Sequence, residues 1–169
     1  MNAFLDYQNQ LEEQFLNTIQ SSNFEEICQD NIHFFQKHIR ANFNYSHFSH
    51  RTARAKNPLQ QFEDLISYIA LYGLAHYQRF SALLDHIPVF TNQPMTKACI
   101  VDYGCGQGIA TIAFIDHLIK TNSAIQDLKI VLIEPSAYAL KRAIRWIEKK
   151  LNLSILISKL LLLPAHLMN

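Results

Sequence analysis

Ile100-Val101-Asp102-Tyr103-Gly104-Cys105-Gly106-Gln107-Gly108-Ile109-Ala110 is an apolar run that ends on an acid, passes through three alternate glycines and re-enters apolar sequence. Ala98 to Val101 reads as a short strand. From Ile109 the spacing of Ile112, Ile115, Leu118 and Ile119 predicts a helix. Leu128 to Ile133 is a second continuous apolar run rich in branched residues. It is followed by Pro135, Ser136 and a helical pattern through Leu140, Ile144 and Ile147. Strand, helix, strand, helix of this length predicts a parallel sheet with right-handed crossovers, and buried parallel strands have such unbroken apolar runs. A third strand is expected within Leu153 to Ile157. The fold class is therefore α/β.

Outward from this core, the first 95 residues read as helices. Leu11, Phe15 and Ile19 form an apolar stripe interrupted at Ser21-Ser22, and Ser22 with Glu25 matches a capping box. Phe24, Ile27, Cys28, Ile32, Phe35 and Ile39 continue with helical period to about Arg40. A third run is expected to start at Asn57-Pro58, a cap with proline at the first helical position. It carries Leu59, Phe62, Ile66, Ile69, Tyr72, Leu83 and Leu84 as far as Ile87. Gly73 in its middle predicts a break or a close helix crossing.

The chain of 169 residues contains four glycines, where an ordinary composition of roughly seven per cent would give about twelve. Three of the four stand in the 100–110 stretch, so conformational freedom is concentrated there. Hydrophobic residues make up 49% and charged residues 17%, enough apolar sequence for a core, which excludes a disordered tail. With 15 basic against 14 acidic residues, no global field draws the chain to nucleic acid or an anionic membrane. Charge is nonetheless uneven. Residues 1–36 hold no Lys or Arg, whereas residues 37–56 hold five and no acid. Within that basic segment, residues 42–56 interleave aromatics, histidines and base, which reads as a solvated loop packed against the acidic first helix; the other reading of this composition is a surface that stacks on RNA or takes a phosphorylated substrate. Cys28, Cys99 and Cys105 form no CxxC pair and no metal-ligand spacing, so neither a disulfide framework nor a metal site is expected. The N-terminus lacks a signal-peptide pattern, and the most apolar stretch, Leu151 to Leu163, is too short to span a membrane and carries Lys159. A cytoplasmic location is expected.

Glycines at the carboxyl end of a parallel strand permit a tight turn and let a ligand approach the backbone. The following helix start presents amides to an anionic group. The dinucleotide fingerprint needs a small residue five positions after its first glycine; counted from Gly104, that position is Ile109. The pattern present is D-x-G-x-G-x-G from Asp102. It resembles motif I of the class I, Rossmann-like S-adenosylmethionine-dependent methyltransferases. The resemblance extends to Leu132-Ile133-Glu134-Pro135-Ser136, an acid at the end of the second strand, and covers about residues 98–150. It implies S-adenosylmethionine as cofactor, with Asp102 orienting the turn and facing the methionine amino group. Gly104, Cys105 and Gly106 would line the methionine and ribose, Gly108 would open the helix, and Glu134 would bind both ribose hydroxyls. A carboxylate accepts two hydrogen bonds side by side, which suits a vicinal diol. Glu134 lies 26 residues after Gly108, somewhat beyond the roughly 20 usual for such an acid, and the polar segment 121–127 absorbs the excess.

The expected organisation is thus a helical region, 1–95, on the cap or substrate side, followed by a partial Rossmann-like cofactor domain, 96–169, of about three strands. The full family sheet has more strands than the sequence after Ala98 holds, no acid follows Glu148, and the tail from Leu151 carries eight leucines in 19 residues. Such a sheet exposes an edge, which predicts a homodimer through that edge or the apolar tail, or cover from the helical region. Methyl transfer needs little beyond positioning, and no catalytic base is assigned. Tyr68, Tyr72 and His76 share a helical face and suit either a lid over the cofactor or core packing. The methyl acceptor is expected to be a small molecule or a protein, with RNA reached through residues 42–56 as the other option. A truncated, non-catalytic methyltransferase-like module is the alternative function. An NAD-dependent oxidoreductase is disfavoured by Ile109 and Asp102.

Overall fold

A computed structural model describes residues 3–19, 21, 23–53, 56–87, 96–121, 126–151 and 159–164. The chain is mixed helix and strand and divides into two compact units, residues 1–74 and 75–169. The sequence places its boundary at 95/96. The segment between the two boundaries contains the helix Leu74–Asp85, whose polar contacts, described below, are with the sheet-bearing unit.

In the first unit α1 (Ala3–Thr18) buries Phe15 and Leu16, and Ile19 is buried just past its end. The cap of α2 (Phe24–Phe34) is Asn23 rather than Ser22: its side-chain oxygen accepts the Glu25 amide at 2.9 Å, while Ser21 Oγ accepts the Asn23 amide at 2.9 Å. Asparagine caps as well as serine does, so the start moves by one residue; Ser22 itself lies outside the described residues. The helix continues as a π-turn, Phe35–Ile39, and a 3₁₀ turn, Arg40–Asn42. Phe15 packs edge to face on Phe34 and Phe62 with centroids 5.1 and 6.1 Å apart, and Phe34 on Phe62 at 5.5 Å, fastening three helices together.

Two sequence expectations in this unit are corrected. The loop expected over residues 42–56 contains a helix, α3 (Tyr45–Thr52), capped by Asn44, whose side chain accepts the His47 amide at 3.0 Å. Phe48 and Thr52, one turn apart, supply its buried face, and Ala53 ends it in the left-handed region at φ 45°. Asn57 consequently does not open the next helix. Its amide and side chain donate to the carbonyls of Thr52 and Arg51 at 3.0 and 2.9 Å, finishing α3, and α4 (Phe62–Tyr68) starts later. The disturbance expected at Gly73 is present in both senses. A π-turn spans Ile69–Gly73, and a Cβ on Gly73 would stand 3.0 Å from Ile69 Cγ2 and 3.4 Å from Cys28 Sγ on α2.

The second unit opens with α5 (Leu74–Asp85). Tyr77 Oη donates to Asp116 at 2.8 Å, and Asp85 meets His117 at 3.2 Å and Lys120 at 3.4 Å. These partners lie on α6 (Ile109–Lys120), the crossover between β1 (Lys97–Tyr103) and β2 (Asp127–Glu134). β1 and β2 pair in parallel from Lys97↔Asp127 to Tyr103↔Ile133. On α6 the expected Ile112, Ile115 and Leu118 are buried, while Ile119 is exposed. α7 (Ala137–Leu151) buries Ala139, Arg142, Ala143, Trp146, Ile147 and Leu151.

β2 is buried along nearly its whole length, as its apolar run predicts, but β1 is not: Val101 is 62% and Tyr103 74% exposed. β1 stands at the end of the order β1-β2-β3, with no strand on its other side among the described residues. The backbone of β3 (Lys159–Pro164) runs parallel to β2 in the register Lys129↔Lys159 to Glu134↔Pro164. The strand expected at Leu153–Ile157 falls outside the described residues. No helix of the described residues is long and apolar enough to cross a membrane.

Candidate cofactor-binding turn

The turn between β1 and α6 is built by three positive-φ glycines, Gly104 at 71°, Gly106 at 52° and Gly108 at 79°. Left-handed backbone is costly for a residue with a Cβ, which is why glycine recurs at every second position. The strand end is tied back to the sheet, with the Gly104 and Cys105 amides donating to the Ile133 carbonyl at 2.7 and 3.1 Å. The turn closes when the Gly108 amide donates to the Cys105 carbonyl at 2.8 Å.

The glycines differ in what surrounds them. A Cβ at Gly104 or Gly106 would meet nothing within 4 Å, whereas one at Gly108 would stand 3.0 Å from Ala143 Cβ, 3.2 Å from Ala143 Cα and 3.4 Å from Ile147 Cδ1. Gly108 thus serves the close approach of α7, and Gly104 and Gly106 present bare backbone to open space. In a dinucleotide fingerprint read from Gly104, close helix packing would fall at position 109. Here it falls on Gly108.

Both sequence-predicted acids reach the turn. Asp102, half-buried near the end of β1, accepts the Thr111 hydroxyl at 2.6 Å and so fastens the strand to the first turn of α6. Glu134, at the end of β2, is buried at 7% exposure rather than being a solvated loop acid. Its Oε2 accepts the Gly106 amide and its Oε1 the Ser136 amide, each at 2.9 Å. Each carboxylate oxygen has a second lone pair, so a further donor can still bind. Cys105 is buried beside both acids. Burial first, and then the charges of Asp102 and Glu134, push its thiol up to about 12, so it is neutral at pH 7 and is no nucleophile.

Two residues outside the predicted set complete the surroundings. Gln107, buried in the turn, accepts from Arg142 Nη1 at 3.2 Å, and Arg142 is fully buried with its Cζ 5.9 Å from the Trp146 ring centroid. Arg142 shares the 139, 142, 143, 146 spacing of the buried face of α7, a helical period visible in the sequence although the charge argues for the surface.

The other candidate groups belong to other surroundings. Tyr72 shares a 2.8 Å hydroxyl contact with Tyr45 and packs on Tyr68 at 5.5 Å, a packing arrangement within the first unit. His76 is on α5, where burial and then Arg79 lower its pKa. In the basic segment, Arg51 forks onto buried Asp64 through Nε at 3.2 Å and through Nη2. It lines a cavity of about 180 Å³ with His38, Phe43 and His47, its charge already matched by Asp64. No protein-family model, curated protein or solved structure matches the chain.

Proposed function

We propose that the chain is a class I-type S-adenosylmethionine-dependent methyltransferase, or the cofactor-binding portion of one, with a Rossmann-like β1-β2-β3 sheet. One observation carries the reading: the carboxylate that ends β2 reaches the turn that follows β1, Glu134 Oε2 meeting the Gly106 amide at 2.9 Å although 28 residues separate them. A strand-end acid beside bare glycine backbone suits a ligand with a vicinal diol and a flat extended body.

Glu134 holds the ribose hydroxyls on its remaining lone pairs. Asp102, kept in place by Thr111, faces the methionine ammonium. The open faces of Gly104 and Gly106 let the ligand lie against the backbone, and Cys105 adds a neutral apolar wall. When bound, the cofactor supplies a methyl group on a positively charged sulfur, activated for in-line displacement, and the protein contributes position and orientation. The near balance of 15 basic against 14 acidic residues favours a small-molecule or protein acceptor over RNA. Ile109, at the position where the dinucleotide fingerprint needs a small residue, favours this cofactor over NAD.

A second reading, a non-catalytic interaction module on the same fold, is supported by the exposure of Val101 and Tyr103 on β1. Calorimetric titration with S-adenosylhomocysteine and with NAD separates the possibilities. The proposal expects saturable heat with the first and none with the second; no heat with the first rejects it.

A further inference from the structure

We propose that Arg142 is a positioning residue for the glycine turn, holding Gln107 so that Gly104 and Gly106 keep their bare faces turned outward; as a statement about cofactor binding, it rests on the function proposed above. A guanidinium that is fully removed from water forfeits hydration that only well-placed acceptors and polarizable neighbours restore. Arg142 has 0% exposure, and one of its acceptors is the Gln107 side chain, itself 2% exposed, at 3.2 Å. The flat face of Trp146, one turn further along α7, lies within cation–π range of its Cζ at 5.9 Å.

The location gives the contact its meaning. Gln107 stands between Gly106, whose amide is taken by Glu134, and Gly108, whose Cα faces Ala143. The segment from Glu134 to Ala143 therefore grips three consecutive turn residues by three different means: a carboxylate on a backbone amide, a buried cation on a side-chain amide, and van der Waals contact. The second strand–helix unit is the mould in which the turn of the first is cast. A turn with three positive-φ residues has many alternative conformations to lose. Arg142 removes them in advance, so less ordering is left to the ligand.

The experiment compares the 169-residue chain with its Arg142→Met, Gln107→Leu and Arg142→Met/Gln107→Leu variants, using amide hydrogen exchange and S-adenosylhomocysteine binding. Arg142→Met should speed exchange at residues 105–108 at least tenfold while β2 amides stay within twofold. It should also weaken binding about tenfold. Gln107→Leu should do the same, and the double variant should be no worse than either single, because both remove one shared contact. Arg142→Lys, which keeps the charge without the planar fork, should restore part of the protection. Ile115→Val, a buried position on α6 away from Arg142 and Gln107, serves as a control that lowers the melting temperature with binding held within twofold. Equal exchange in wild type and Arg142→Met, or additive effects in the double variant, would overturn the proposal. If the wild type binds no S-adenosylhomocysteine, the cofactor reading fails on its own, and the exchange comparison still decides whether Arg142 positions the turn.

Discussion

Gly108→Ala is the substitution whose cost is best defined. Its φ of 79° is retained only if an L-residue sits in left-handed backbone, which costs roughly 1–2 kcal/mol. The new Cβ would stand 3.0 Å from Ala143 Cβ and 3.2 Å from Ala143 Cα. The second of these is backbone and cannot rotate away, so α7 must shift, an overpacking cost of about 1–3 kcal/mol. The two together come to about 2–5 kcal/mol. Gly104→Ala meets the same backbone strain at φ 71° with nothing within 4 Å, leaving roughly 1–2 kcal/mol. Urea unfolding followed by fluorescence of Trp146, the single tryptophan and buried on the helix that Gly108 touches, reads the difference directly. With a urea slope of about 2 kcal/mol/M, Gly108→Ala should move the midpoint down by about 1 M or more, and Gly104→Ala by clearly less. Equal midpoints for the two variants would refute the separation of a packing glycine from two open ones.

Three further outcomes follow from named contacts. Arg51→Gln should destabilise the first unit by about 1–3 kcal/mol, because it removes the fork from Asp64, whose side chain is 4% exposed; a thermal melt in which Arg51→Gln matches wild type would contradict this. Iodoacetamide at pH 8 should label exposed Cys99 quickly and Cys28 and Cys105 slowly, since burial holds both of the latter up to about 12; peptide mapping that finds Cys105 labelled first would be the adverse result. Those raised thiols also fix a pH dependence. From the ordinary value of 9.0 upward the unfolded chain loses protons that the folded chain keeps, so stability should fall between about pH 9 and about pH 12. Replacing both cysteines by Ala should flatten that part of the profile.

The parallel β1-β2 pair was legible because branched apolar runs flank a helical period at a spacing that only a crossover satisfies. Asp102 and Glu134 were legible because each ends such a run. The exposure of Val101 and Tyr103 was not, since it depends on which strand stands at the sheet edge, and strand order is a non-local property that apolar runs do not encode. The two π-turns shift the helical phase by one residue over a short span, too little to disturb the stripe that announced α2. α3 was hidden by its histidines, although Asn44 followed by Phe48 and Thr52 carried its cap and its face. Asn57 looked like a helix start because an asparagine side chain can close one helix as well as open another, and here it bonds backwards. Arg142 was passed over because arginine is ordinarily a surface residue; its place on the 139, 142, 143, 146 stripe was the available signal.

The scarcity of glycine makes the central claim unusually open to measurement. Protein labelled with ¹⁵N only in glycine should give one amide signal for each of its four glycines. Titration with S-adenosylhomocysteine should shift Gly104, Gly106 and Gly108 together, with Gly106 moving furthest because its amide is bonded to the carboxylate that receives the ribose, and leave Gly73 in place. A titration that moves none of the four, or Gly73 alone, would contradict the assignment of this turn as the cofactor site.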